Sequence, residues 1–123
     1  MERKDKIMKE AFMIFLENEK QNCEEREKAL IADERKDEAN LCKVEANIFD
    51  IFKTLYTVSE KQSKSDEECR EMFMAKAKAI PDNWKKSYEL AKEHNDRGKI
   101  LIEETKLKVV DKIMQEFYQL MEG

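Results

Sequence analysis

The sequence predicts an all-α protein, an elongated antiparallel bundle of three to four helices with coiled-coil-like packing and a long C-terminal helix. Three observations predict it. Glycine occurs twice and proline once in 123 residues, so tight turns are few. Charged residues make up 42% and apolar residues 41%, with both signs interspersed, as on solvated helices that carry i,i+4 ion pairs. Trp84, Tyr88, Ala91, Asn95, Gly98, Ile102, Thr105 and Val109 recur at spacings of four and three, the seam of a helix laid lengthwise on others.

The chain fits one domain, 1–123, with helices expected near 3–32, 37–59, 66–79 and 82–121. In the first, Ile7, Met8, Ala11, Phe12, Ile14 and Phe15 make a wide apolar stripe, extended by Met13 and Leu16 almost around the helix. Such a helix is expected to be covered on nearly all sides. Residues 17–38 hold few apolar groups, and two connections follow. Either the chain turns near Asp33 to Asp37, which is favoured, or it runs straight through, since Leu16, Cys23, Leu30, Val44, Ile51 and Val58 share one seven-residue phase.

Leu41, Val44, Ile48, Ile51, Leu55 and Val58 then form a clean second seam, with Phe49, Phe52 and Tyr56 beside it. The serine-rich stretch 59–66 reads as the clearest break, because serine hydroxyls compete with helix hydrogen bonds. Ser65-Asp66-Glu67-Glu68 matches a capping box and starts a short helix that buries Cys69, Met72, Phe73, the Lys76 stem and Ile80. Pro81 is expected to end it, and Asp82 to open the long last helix at the positive end of its dipole. Gly98 is either a cap that splits this helix or a close-contact position inside it. The unbroken repeat favours continuity, giving about 60 Å of helix at about 1.5 Å per residue. A compact globule of this length has a radius of gyration of about 14 Å. The molecule is therefore expected to be elongated or to pair with a second chain. Ile7, Phe12, Phe15, Ile48, Phe52, Leu55, Trp84, Ile102, Val109, Ile113 and Phe117 are expected in the core.

Chemistry-bearing patterns are sparse. His94 is the only histidine and has no nucleophile near it in sequence, so it reads as a surface residue. Cys23, Cys42 and Cys69 are odd in number and widely spaced, which fits buried reduced thiols in a cytosolic protein. No catalytic, cofactor-binding or metal-binding residues are assigned, no cofactor is expected, and the protein reads as not an enzyme. No segment reaches the eighteen or so apolar residues that span a bilayer. The run Ala11 to Leu16 is flanked by both signs of charge, which favours burial over membrane docking.

The net charge is −4, from 24 basic and 28 acidic residues, so nucleic acid is an unlikely partner. The one basic concentration, Lys76, Lys78, Lys85, Lys86 and Lys92 with Arg70, surrounds Trp84 and would form a helix–turn–helix across Pro81. That is a candidate weak nucleic-acid surface. Tyr118-Gln-Leu-Met-Glu122 resembles the YxxxD/E tail signal of small helical substrates and partners of type VII secretion, and the chain is similar to them in size and helical content. The resemblance implies an exported or chaperoned helical partner. The Trp-x-Gly hairpin of that family is absent, since Lys85 and Lys86 follow Trp84. The main expectation is a cytoplasmic interaction or structural protein that self-associates along its helices, as a dimer.

Overall fold

The computed structural model describes the backbone of residues 2–122 and the side chains from Met8 to Met121. It is a bundle of four helices: α1 (Glu2–Ala32), α2 (Lys36–Gln62), α3 (Asp66–Glu93) and α4 (Arg97–Glu122). No strand occurs among the described residues. With 31, 27, 28 and 26 residues, the helices are about 39 to 46 Å long.

The turn near residue 33 is borne out. Glu34 adopts a left-handed φ of 59°, its amide donates to the Ile31 carbonyl at 3.0 Å, and the Arg35 amide donates to Leu30 at 2.8 Å. These two bonds are the Schellman pattern that satisfies carbonyls orphaned at a helix end. The turn folds α1 and α2 into an antiparallel hairpin. Its register is marked by the pairs Lys9–Glu60, Glu17–Lys53 (2.7 Å), Lys20–Asp50 (3.2 Å) and Arg26–Glu45 (3.6 Å). The break after α2 is narrower than the serines suggest. Ser59 lies buried inside the helix and donates its hydroxyl to the Leu55 carbonyl at 2.8 Å. Ser65 caps α3 as expected, accepting from the Glu68 amide at 3.1 Å.

The second half of the chain corrects two expectations. Pro81 does not end a helix; it lies inside α3, which continues to Glu93, held by Trp84 against the core and by the contacts of Trp84 with Lys106 and of Tyr88 with Glu104 on α4. The single helix 82–121 does not exist either. The chain turns at His94–Asp96, where Asn95 takes a φ of 54°. Its amide bonds Lys92 at 3.1 Å, and the Asp96 amide bonds Ala91 at 3.0 Å, a second Schellman pattern. Asp96 then caps α4, its carboxylate accepting from the Lys99 amide at 3.2 Å. Gly98 neither breaks the helix nor makes a close contact. It sits in the first turn of α4, where an added Cβ would meet only the Asp96 Oδ1 at an ordinary 3.8 Å.

Each helix sends one ring to a common aromatic centre: Phe12, Tyr56, Phe73 and Phe117. Phe73 lies 5.2 Å from Tyr56, 5.5 Å from Phe12 and 4.9 Å from Phe117, between ring centroids. Edge-to-face contacts of this kind add to the burial of apolar area. Phe12, Ile48, Phe52, Val109, Ile113 and Phe117 are fully buried as expected, but Phe15, Leu55, Trp84 and Ile102 are only partly so. The Ile7 side chain lies outside the described residues. The first helix is not covered on nearly all sides, since Ile14 is 59% exposed. The accessible surface of 8241 Å² exceeds the roughly 6,900 Å² typical of a compact monomer of this mass. The bundle is elongated, through four helices of similar length and not through one spine.

Candidate interaction surface

The helix faces that the core leaves uncovered define the candidate site. On α2, Phe52 and Tyr56 point to Phe73 of α3, while Glu45, Asp50, Lys53 and Glu60 reach α1. The seam Leu41, Val44, Ile48, Ile51, Leu55 and Val58 runs along the border between the covered side and solvent, with Ile48 in the core and Leu55 packed against it. Of its six residues only Ile48 is fully buried, and Ile51 is 40% exposed. Exposed Asn40, Asn47 and Thr54 flank the seam, so no charge interrupts this face of α2 between residues 40 and 58.

Across the groove, α3 repeats the pattern. Lys76 donates to Gln62 at 3.3 Å beside the Phe73 contact. The adjoining flank carries Met72, Ala79, Ile80, Asn83, Ser87 and Leu90 around the single charge of Lys76, and Leu90 is 53% exposed. In a chain that is 42% charged, a two-helix face with fifteen uncharged positions around one lysine stands apart. Depletion of charge marks the centres of protein interfaces. Its exposed edge carries Lys36, Lys43 and Lys61 on α2 and Lys86 on α3. The face is about 27 Å long and two helices wide, on the order of 500 Å².

The other candidates disperse. His94 is exposed at the end of α3, and the three cysteines are buried and unpaired. Burial pushes all three thiols above their ordinary range, which suppresses the reactive thiolate. Burial likewise raises the Tyr56 phenol. Among the described residues, no group of three or more His, Cys, Asp or Glu side chains is placed to hold a metal ion. The proposed helix–turn–helix is corrected, because Pro81 makes no turn. Of its basic residues, Lys76 is engaged by Gln62 and Lys92 lies over the Tyr88 ring at 4.1 Å. Tyr118 is 40% exposed on α4, and the Glu122 side chain lies outside the described residues. No described helix is long and apolar enough to cross a membrane.

The α2 seam was legible in the sequence as a stripe, but not as an open one. The α3 half was missed, because a helix ended at Pro81 has no flank at Asn83, Ser87 and Leu90. Compared with models of known protein families, with curated proteins and with solved structures, the chain shows no match.

Proposed function

We propose that the protein is a non-enzymatic helical interaction protein that pairs with a second copy through the α2–α3 face. One observation carries this reading: the charge-poor, half-covered surface around Ile51 and Leu90. A 60 Å last helix no longer supports it, since the turn at Asn95 divides that segment. A face on the order of 500 Å² per partner is smaller than the roughly 800 Å² of standard complexes, which makes the dimer weak and concentration-dependent. The three unpaired thiols favour a reducing compartment such as the cytoplasm.

Sedimentation equilibrium across about 10 µM to 1 mM tests it, a range suited to an interface of this size. A reversible monomer–dimer equilibrium is expected, abolished by Ile51→Glu without loss of helical signal. A strict monomer at the highest concentration, or a dimer indifferent to Ile51→Glu, overturns the proposal.

A further inference from the structure

We infer that residues 82–108, the tip of the α3–α4 hairpin, open as a unit hinged at Pro81, and that closure of this tip completes the charge-poor α2–α3 face. The second part rests on the docking role proposed above; the first does not. Pro81 has no amide hydrogen for the carbonyl of Ala77 four residues earlier, and its ring crowds that carbonyl. The helix is thus weakest where α3 runs out of the buried core, since Cys69, Phe73 and Ala77 belong to that core and precede the proline, while beyond it on α3 only half-buried Trp84 packs against the core.

Beyond the hinge the tip buries little. Between Pro81 and Val109 only Ala91 and Glu103 are fully buried. Glu103 is an unusual occupant, 4% exposed, with Oε1 accepting from Lys106 at 3.2 Å and Oε2 without any partner. Closure keeps that carboxylate oxygen dry, and opening returns it to water. The remaining ties are few: half-buried Trp84 against the edge of the core, Tyr88 to Glu104 at 2.9 Å and Lys106 over the Trp84 ring at 5.4 Å. A segment with so few apolar contacts opens more easily than the core it is attached to. When it opens, Asn83, Ser87 and Leu90 leave the face they share with α2.

Native-state hydrogen exchange on dilute, monomeric protein is the test. Amides of 84–106 are expected to exchange at least about a hundredfold faster than those of 48–56 and 109–117, with a shallower urea dependence. Pro81→Ala, which restores the missing bond, should slow tip exchange about tenfold or more. Phe49→Leu should speed exchange in the core and leave the tip unchanged, because Phe49 remains packed when the tip opens. Equal protection and equal urea slopes, or a Phe49→Leu effect that reaches the tip, overturn the hinge. Pro81→Ala should also tighten the dimer several-fold in sedimentation. An unchanged dimer constant overturns the coupling to the face, and a tip that opens in a chain that never dimerises refutes the docking role alone.

Discussion

Phe73 is the residue whose removal tests the fold most directly. It is fully buried and meets Phe12, Phe52, Tyr56 and Phe117, with ring centroids between 4.9 and 6.2 Å. Those rings come from the other three helices, so Phe73 ties the α3–α4 hairpin to the α1–α2 hairpin. Truncating a buried phenylalanine to alanine costs about 3–5 kcal/mol, the spread reflecting how far the site can collapse. Four ring partners fixed on three separate helices cannot all move in, which puts Phe73→Ala near the upper limit, about 5 kcal/mol. Phe15 is the internal comparison, since it is only partly buried and has one ring partner, Phe49 at 6.3 Å. Phe15→Ala should cost about 1–2 kcal/mol.

Urea unfolding followed by circular dichroism at 222 nm reads the difference. With a slope of about 1.5–2 kcal/mol per molar, the midpoint falls by about 3 M for Phe73→Ala and by about 0.5–1.3 M for Phe15→Ala. A loss of 5 kcal/mol approaches the whole stability of a small domain, so Phe73→Leu, at about 1.5 kcal/mol, keeps the comparison measurable. Losses at Phe73 no larger than at Phe15 would refute a core shared by the two hairpins.

Two further outcomes follow from the turns and the ion pairs. Glu34 holds a left-handed φ of 59° that costs a residue with a Cβ about 1–2 kcal/mol, so Glu34→Gly should stabilise by about 0.5–1 kcal/mol and raise the melting temperature by about 3–5 °C. Asn95→Gly should gain only a few tenths, because asparagine tolerates the same geometry. The hydrogen bond and charge of Lys53 hold the Glu17 carboxyl below its ordinary value of 4.5. The native state therefore binds fewer protons than the unfolded chain, and this stabilisation, present above about pH 4.5, is lost as pH falls through the native value. Both groups are partly exposed, so the effect is small and salt-sensitive. Glu17→Gln should flatten that acidic limb of stability against pH, and an unchanged limb would show that the pair does not persist in solution.

Much of the fold was legible because local physics and tertiary packing agreed. The turn after Ala32 falls in a charged stretch with nothing to bury, and Ser65 offers the hydroxyl that a helix start requires. The turn at His94–Asp96 was written in the sequence too, with Asn95 able to adopt left-handed angles and Asp96 able to cap. It was read through because Ala91, Asn95, Gly98 and Ile102 keep a helical spacing across the reversal. Pro81 shows the opposite failure. A local rule against helix before proline was overridden by the contacts of Trp84 and Tyr88 with α4.

By itself the sequence determined that this chain is helical, where its apolar stripes lie, and that its thiols are buried among them. Periodicity settles those points, since a stripe at helical spacing can be hidden only by folding it inward. Which stripe is left half open was decided by the tertiary structure alone. Four helices meeting at one aromatic centre cannot cover every face of each other. The side of α2 that carries Ile51 remained outside because α1, α3 and α4 already occupy the other directions from that helix.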